Sequence, residues 1–309
     1  MRAVVCTRYG PPEVLQLADV EPPRPKKGQV RIRIVAAAVT ASDCNVRTLE
    51  PRSLLLIGAR LVLGLTAPRQ PILGLVLAGE VESLGPGVTS FKVGDSVIGF
   101  TGAKFGTYAE FVCCREDGYL ATRPANLTYA QAAAIPYGGL LALPFLRKAG
   151  VGPGKRVLIY GASGAIGTSA VQLARHLGAE VTGVCSGVNV ELVRSLGAVT
   201  VVDYTKEDFT RRGERYDTIF DAVGKRKSAK ALVESRKALT PDGVVLSVDD
   251  GLAKVVRSDL FLLQSLAQNG ELKPVIDRTY PLEQIVEAHR YVDHGHKRGN
   301  VIVTVALEI

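Results

Sequence analysis

The spacing of apolar residues changes along this chain between residues 123 and 152. Before that point, the apolar runs 1–7, 29–37, 77–83, 96–100 and 108–114 are short and rich in Val, Ile and aromatic residues, and glycine–proline turns separate them. After it, strand-like apolar runs alternate with stretches of helical periodicity. The first pattern predicts a small antiparallel β-barrel. The second predicts an α/β fold with a parallel sheet and crossover helices on both faces.

The α/β part can be divided into elements from its periodicity. The predicted strands are 156–160, 180–185, 199–203, 216–222 and 243–248, and the predicted helices are 164–177, 189–196, 228–239 and 258–269. Ahead of them, residues 128–149 have helical periodicity that is interrupted at Pro136, at Gly138-Gly139 and at Pro144. These interruptions predict two helices that meet at a bend.

The tail of the chain returns to strand-like character. An extended segment, 277–280, and a helix, 281–292, precede a clean apolar strand at 300–306. A single strand that follows a finished domain usually rejoins an earlier sheet. We therefore predict a barrel domain over 1–122 that 270–309 completes, with a nucleotide-binding domain, 123–269, inserted into it.

The turn GASGAIG, residues 161–167, follows the first predicted parallel strand and has the features of a dinucleotide-binding turn. Gly164 would let the backbone approach a pyrophosphate, and Gly167 would let the next helix lie close to the strand. The first glycine of the usual GxGxxG pattern falls on Ala162, with Gly161 just before it. Because ligands bind beyond the carboxyl ends of such strands, the candidate cofactor-binding residues are Ser163, Gly164, Ala165, Ile166, Gly167, Ser186, Tyr204, Ala222, Val223, Ser247 and Val248.

Composition narrows the class of protein. The chain has 309 residues, 47% apolar and 22% charged, as expected for a globular protein of about two domains. No signal peptide is apparent, and the most apolar stretch, 53–67, is too short for a membrane span and is broken by Arg60. The five cysteines lack CxxC spacing, which indicates reduced thiols and a cytoplasmic location. The net charge of +8 favours anionic ligands, and no nucleic-acid-binding motif accompanies it.

Several motifs occur together in a characteristic order. They are GLVLAGEVESLGPG at 74–87, FKVGD at 91–95, IPYGGL at 135–140, GASGAIG at 161–167, DYT at 203–205 and KPVID at 273–277. With these motifs the chain resembles the medium-chain dehydrogenases/reductases, and more narrowly their zinc-free, quinone oxidoreductase-like branch, which includes zeta-crystallin. The resemblance extends from the first strand to the last. It implies a GroES-like β-barrel plus a Rossmann domain, with the active site in the cleft between them.

The residues at the family's zinc positions differ from those of its zinc-dependent members. Thr40 stands where those members have a cysteine, and Leu75-Val76 stand where they have His-Glu. The four-cysteine structural lobe is also missing. A catalytic zinc needs three side-chain donors, so we predict no metal site. We expect Cys44 to be a small buried or half-buried residue.

The strand after the glycine-rich helix bears on the choice of cofactor. An NAD-specific site has an acid about 20 residues beyond the glycines, but here the strand ends Cys185-Ser186-Gly187. Ser186 could instead donate a hydrogen bond to a 2′-phosphate, and the resemblance implies that Tyr204 lies near the same phosphate or ribose. We predict NADPH in preference to NADH. The cation that would hold the phosphate is not evident from the sequence.

The resemblance also implies a reaction. Without zinc, hydride would pass from the nicotinamide to a quinone or to the β-carbon of an α,β-unsaturated carbonyl. Thr40, Asp43 and Asn45 are the candidate catalytic residues, because donors near the developing oxyanion would assist this step. Asp43 has a second interpretation, as an acid that caps a short helix. The apolar run Leu54–Leu65 would form a lipophilic wall or simply pack. The four histidines, at 176, 289, 294 and 296, are expected on the surface.

Three hypotheses therefore remain. The first is a zinc-independent, NADPH-dependent oxidoreductase that acts on a small lipophilic carbonyl or quinone. The second is an NADPH-binding sensor or RNA-binding protein with little turnover, and the third is an enoyl reductase specific to one pathway. A homodimer is the expectation for the family, although only 253–256 remain as a possible short strand for pairing two Rossmann domains.

Overall fold

A computed structural model describes residues 1–49, 63–251 and 254–306, including every side chain except those of Arg226 and Lys227. The chain divides into two compact units. One consists of Met1–Pro136 together with Ile276–Ile309, and the other of Tyr137–Val275. Within the described ranges, no helix is long and apolar enough to cross a membrane.

The elements follow the sequence-based expectations closely in kind and in order. The strands are β1 Arg2–Cys6, β2 Leu15–Asp19, β3 Gln29–Val39, β4 Val76–Leu84, β5 Ser96–Phe100, β6 Phe111–Arg115, β7 Leu120–Thr122, β8 Arg156–Tyr160, β9 Glu180–Cys185, β10 Thr200–Asp203, β11 Tyr216–Asp221, β12 Leu239–Ser247, β13 Ile276–Pro281 and β14 Asn300–Thr304. The helices are α1 Ala41–Thr48, α2 Tyr129–Ala133, α3 Pro136–Lys148, α4 Ala165–His176, α5 Val190–Ser195, α6 Lys225–Ser235, α7 Arg257–Gln268 and α8 Ile285–Asp293.

The first unit is built on a mixed sheet, in which β13 and β14 pair parallel and the other neighbouring strands pair antiparallel. Its strand order is β13-β14-β3-β4-β5-β7, with β6 also paired to β3, and β1 pairs separately with β2. The long β3 has several partners because β6 pairs with its first half and β14 with its second half, while β4 pairs along its other edge. The tail strand β14 pairs antiparallel with β3, with Val301 opposite Val39. The prediction that the last strand rejoins the first sheet is therefore confirmed.

The first unit extends further along the chain than residue 122, where the sequence analysis ended it. The short helix α2 packs on β3, β4 and β14. Thr128 begins this helix with a capping box in which Gln131 is the partner. The side-chain amide of Asn300, on β14, donates a hydrogen bond to the carbonyl oxygen of Ala134 at 3.1 Å. These tertiary contacts bind residues up to Pro136 to the barrel, and no local sequence signal announces them.

The second unit is a five-stranded parallel sheet with the order β10-β9-β8-β11-β12. The chain runs outward from β8 to β9 and β10, and then returns to the other side of β8 with β11. The reversal of direction lies between β8 and β11, where Tyr160 is opposite Asp221. In open parallel sheets, ligands bind in the crevice at such a reversal. The predicted α/β fold is confirmed.

The two helices predicted over 128–149 are present as α2 and α3, and they are separated just before Pro136. The other expected interruptions, at Gly138, Gly139 and Pro144, lie inside α3, which runs through them without a break. The two glycines serve packing: a Cβ at Gly138 would lie 2.2 Å from the carbonyl oxygen of Ala165, and one at Gly139 would overlap Leu263. Most of Leu54–Leu65, and Ala253 of the possible sixth strand, lie outside the described residues, whereas 254–256 belong to no strand.

Candidate functional site

The glycine-rich turn after β8 has two glycines that the protein itself requires. Gly161 has φ +77°, and a Cβ there would lie 2.3 Å from Val223 Cγ2. A Cβ at Gly167 would lie 2.1 Å from the carbonyl oxygen of Gly161 and 2.8 Å from Ala162 Cα. Gly161 therefore provides the tight turn, and Gly167 lets α4 lie against the strand. This explains the shifted motif, since Ala162 is a buried residue and the left-handed position is one residue earlier.

Gly164 is different, because protein packing does not require a glycine there. It is the N-cap of α4 with extended backbone, φ −79° and ψ 177°. A Cβ at this position would meet only the Gly161 carbonyl oxygen, at an ordinary 3.6 Å. No side chain caps the helix, and the first intrahelical bond runs from Thr168 N to the carbonyl oxygen of Gly164. The N–H groups of 165–167 thus have no partner within the helix, which leaves an electropositive helix end suited to phosphate.

The structure brings the candidate residues of the next strand to the same edge. The side-chain amide of Asn189 donates hydrogen bonds to Ser163 Oγ at 3.3 Å and to Ser186 Oγ at 3.0 Å. Asn189 Oδ1 is buried without a hydrogen-bond partner among the described residues. Asn189 therefore ties the glycine-rich turn to the end of β9. The sequence analysis missed this residue, since an asparagine at the start of a helix is usually a cap.

An acidic residue lies beside the end of β9, although β9 itself supplies none. Asp203 ends the neighbouring strand β10, and its Oδ2 atom would lie 2.5 Å from a Cβ placed on Gly187. The hydrogen bond from the Thr205 hydroxyl holds the pKa of Asp203 below its usual value. Lys206 Nζ lies 3.8 Å from Oδ2. Between these two residues, Tyr204 donates its backbone N–H to the Cys185 carbonyl oxygen and leaves its side chain half exposed.

Asp221, at the end of β11, organises the other half of the edge. Its fully buried carboxylate accepts hydrogen bonds from the backbone N–H of Val223 and Gly224 and from the hydroxyls of Ser228 and Ser247. The chain beyond β11 is held further by the Ala222 N–H, which donates to the Tyr160 carbonyl oxygen. The Ser247 hydroxyl is therefore already engaged, and its backbone N–H and carbonyl oxygen also bond to Asp250. Val248 donates its N–H to the Asp221 carbonyl oxygen and is half buried.

Tyr204 also borders a polar cavity of about 840 Å³ in the same unit. Four cations line this cavity, Lys206, Arg211, Arg212 and Lys230, together with the carboxylates of Glu207, Asp208 and Glu234. Arg211 is paired with Asp208 at 3.6 Å. The basic residues of this cavity come from the loop after β10 and from helix α6. No contiguous motif connects these positions, so sequence reasoning could not group them.

In the first unit, Thr40 and Asp43 form the capping box of α1. Asp43 Oδ2 accepts hydrogen bonds from Thr40 N at 2.9 Å and from Thr40 Oγ1 at 2.6 Å, while Oδ1 accepts one from Gly74 N at 3.1 Å. Burial raises the pKa of Asp43 to about 6, against the opposing effect of the Thr40 and Gly74 hydrogen bonds. Neither side chain reaches solvent, whereas Asn45, two residues along the helix, is exposed. The geometry agrees with the second interpretation of Asp43, a helix-capping acid.

Next to this capping box lies a buried cluster that the sequence analysis did not foresee. His289 on α8 was expected on the surface, but it is fully buried, and burial lowers its pKa to about 3. Its Nδ1 lies 3.4 Å from Cys44 Sγ, and its ring meets that of Tyr108 edge to face. Burial raises the pKa of the Cys44 thiol well above its usual value. The amphipathic helix α8 packs against the barrel, which brings residues some 245 positions apart into contact.

The residues at the family's zinc positions do not form a metal site. Thr40 is engaged with Asp43, and Leu75 and Val76 are buried apolar residues without donor atoms. Across the part of the chain that the structure describes, no group of three or more His, Cys, Asp or Glu side chains could hold a metal ion. The donor set therefore does not fit a catalytic zinc.

Comparison with known families agrees with this architecture. The profile of the alcohol dehydrogenase GroES-like domain matches residues 26–125, and two zinc-binding dehydrogenase profiles match 165–269 and 256–303. The chain belongs to the medium-chain dehydrogenase/reductase family.

Individual relatives narrow the comparison. The chain is 33% identical to 2-methylene-furan-3-one reductase of Solanum lycopersicum, over 98% of this chain and 79% of that one. It is 32% identical, with the same coverage, to NADPH-dependent alkenal/one oxidoreductase, chloroplastic, of Arabidopsis thaliana. Among solved structures, the quinone oxidoreductase from Coxiella burnetii superimposes with a TM-score of 0.86 at 29% identity, covering 99% of both chains.

Proposed function

We propose that this protein is an NADPH-dependent oxidoreductase that delivers hydride to a quinone or to the β-carbon of an α,β-unsaturated carbonyl. The observation that carries this proposal is the uncapped start of α4 behind Gly164, a glycine that protein packing does not require. A pyrophosphate is the group that would use both features. The names of the relatives, which include an alkenal/one reductase and a quinone oxidoreductase, support the choice of acceptor.

Different residues along the sheet edge hold different parts of the cofactor. The N–H groups of Ala165, Ile166 and Gly167 bind the pyrophosphate, with Ser163 beside them. Ser186 and Tyr204 contact the adenosine side. The backbone of 222–223 and 247–248 lines the path to the nicotinamide, and Asp221 fixes its position through four hydrogen-bond donors. When bound, the nicotinamide supplies a hydride to an acceptor that is already electron-poor, so orientation accounts for most of the assistance required.

We assign NADPH rather than NADH as the cofactor, and the cavity beside Tyr204 supports this choice. Lys206 and Lys230 line it, and Lys230 has no ion pair with any described carboxylate. We assign these two lysines to the 2′-phosphate, which NADH lacks. Changing both to Gln should weaken NADPH binding by roughly tenfold and leave NADH binding within about twofold. The double variant should be compared with Lys273→Gln, a surface change away from the cavity. An equal loss for both cofactors would contradict the assignment.

No zinc takes part in the proposed reaction, and the first unit contributes one exposed polar group. Thr40 and Asp43 are positioning residues that hold the start of α1, because both are closed to solvent. Asn45 is exposed, and we assign its side-chain amide as the donor to the oxyanion that forms on the acceptor. Solvent supplies the proton that completes the reduction. Asn45→Ala should therefore lower kcat without changing the NADPH dissociation constant.

The decisive test follows NADPH consumption at 340 nm with a panel of quinones and α,β-unsaturated ketones, aldehydes and thioesters. Turnover of quinones or enones supports the proposal, and turnover of a single enoyl thioester would point to a pathway-specific enoyl reductase. Absence of turnover on every acceptor, together with tight binding of NADPH and of a labelled RNA, would overturn the proposal in favour of a sensor or RNA-binding protein. Sedimentation would test the expected homodimer, and fractionation of cells would test the expected cytoplasmic location.

A further inference from the structure

The β-barrel unit contains a cavity of about 590 Å³ that shares no residue with the candidate active site or with the nucleotide-binding edge. All of its lining residues belong to Met1–Pro136. It lies between the start of β1, the segment before β3, the turn after β5, and strand β6. Its volume falls within the range of small-molecule sites in proteins, roughly 300–1,000 Å³.

The wall of this cavity is predominantly aromatic and apolar. Phe100 and Tyr119 form an edge-to-face pair with ring centroids 6.2 Å apart, and Phe105 and Phe111 also line the cavity. Such rings favour a flat aromatic guest, which can be contacted by faces and edges at once. Cys114 contributes a thiol, whose pKa burial raises to about 12, so it is a neutral, weakly polar part of the wall.

The charged side chains at the cavity differ in whether a protein group already pairs with them. The Arg115 guanidinium is held by Asp117 through two hydrogen bonds, at 2.7 and 2.6 Å. Lys104 is exposed, and among the described residues no carboxylate lies within 4.0 Å of it. Lys104 and Cys114 line the same cavity. One carboxylate, Glu21, is also exposed at the lining.

The backbone at Phe105, the residue after Lys104, is held in an unusual conformation. Phe105 has φ 51° and ψ −150°, in a region that residues with a Cβ rarely adopt, and its side chain is buried. A conformation of this kind costs about 1–3 kcal/mol and persists where surrounding structure enforces it. It turns the Phe105 ring into the unit and leaves Lys104 on the outside of the same turn.

We propose that this cavity is a second small-molecule site, which takes a planar aromatic molecule carrying one anionic group. The rings enclose the aromatic part, and Lys104 pairs with the anion. The site belongs to the barrel alone, so the proposal does not depend on the redox function.

A suitable probe is 8-anilinonaphthalene-1-sulfonate, which combines fused aromatic rings with one sulfonate and becomes fluorescent in apolar surroundings. The titration is made with saturating NADP⁺, which is not fluorescent and occupies the nucleotide site. The wild type should bind one equivalent of probe. Lys104→Gln should weaken binding about fivefold and Glu21→Gln should tighten it, because each removes one exposed charge near the sulfonate. Lys92→Gln, a surface change in the same unit outside the cavity, should have no effect.

Filling the cavity provides a test that is independent of charge. Cys114→Phe should abolish probe binding while leaving the dissociation constant for NADPH unchanged. If that variant does not fold, hydrogen exchange of the wild type gives the same information, with protection by the probe expected in peptides that cover 100–119. Equal affinity in wild type, Lys104→Gln and Glu21→Gln would overturn the proposal, as would protection confined to 137–275.

Discussion

The ligand-binding role and the packing role of glycine in the turn after β8 can be separated by a matched pair of substitutions, Gly164→Ala and Gly167→Ala. Both add one methyl group to the same seven-residue turn. At Gly167 that methyl group would lie 2.1 Å from the Gly161 carbonyl oxygen, and the backbone cannot yield at low cost. At Gly164 the nearest protein atom would be 3.6 Å away, and φ −79° is allowed for alanine. The first change should therefore affect folding and the second should affect ligand binding.

The expected magnitudes follow from these distances. Overpacking by a methyl group costs about 1–3 kcal/mol, so Gly167→Ala should lower the Tm of this unit by roughly 5 °C. Gly164→Ala should change stability by less than about 0.5 kcal/mol, because the loss of a good N-cap residue and the reduced freedom of the unfolded chain act in opposite directions. The added methyl group would stand between the backbone and the pyrophosphate. It should weaken NADPH binding by roughly tenfold or more.

Two measurements on each variant distinguish an effect on folding from an effect on ligand binding. Thermal unfolding without ligand reports packing, and quenching of tyrosine fluorescence by NADPH, or calorimetry, reports binding. Gly164→Ala with wild-type affinity would refute the idea that the cofactor approaches the backbone at this residue. Gly167→Ala with wild-type stability would refute the packing argument.

Three further predictions concern the barrel unit. The pKa of Asp43 in the folded state, about 6, lies above its unfolded value. The free energy of unfolding of the wild type should therefore fall by up to about 3 kcal/mol relative to that of Asp43→Asn as the pH rises from 4 to 6. Denaturant unfolding at several pH values measures this difference, and a constant offset between the two proteins would contradict it. The folded pKa of His289, about 3, lies below its unfolded value, so the contribution of this residue to stability is present above pH 6.5 and is lost as the pH falls. The NMR signal of the His289 ring proton, identified by its loss in His289→Phe, should stay constant between pH 8 and 5. Titration of this signal near pH 6.5 would show that the ring is accessible. Purified protein should hold less than about 0.1 equivalent of zinc and keep its activity after treatment with EDTA, whereas loss of activity that zinc alone restores would require a metal site.

Sequence reasoning succeeded where the signal is local. The parallel strands and their helices were predicted within a few residues, because a fully buried strand and an amphipathic helix each carry their own periodicity. The turn at 161–167 was located for the same reason. Even its departure from the usual motif has a local explanation, since Gly161 carries the positive φ.

It failed where long-range packing decides the environment. Of the expected interruptions in 128–149, only Pro136 marks a helix boundary. Gly138 and Gly139 lie inside α3, where a Cβ at either position would collide with Ala165 or Leu263. His289 was expected in solvent, although it lies on the same face of α8 as the buried residues Ile285, Ala288 and Val292. Only the docking of α8 on the barrel places it beside Cys44 and Tyr108.

The sequence by itself determined the order of elements, the glycine-rich turn, and the side chains that stand at the family's zinc positions. These depend on residues close together in the chain or on the identity of single residues. Tertiary structure alone decided which polar groups share an environment: Asn189 between Ser163 and Ser186, and the basic side chains around Tyr204. Hydrogen bonds and electrostatic interactions act over a few ångströms in space. Strand pairing is what brings distant residues within that range.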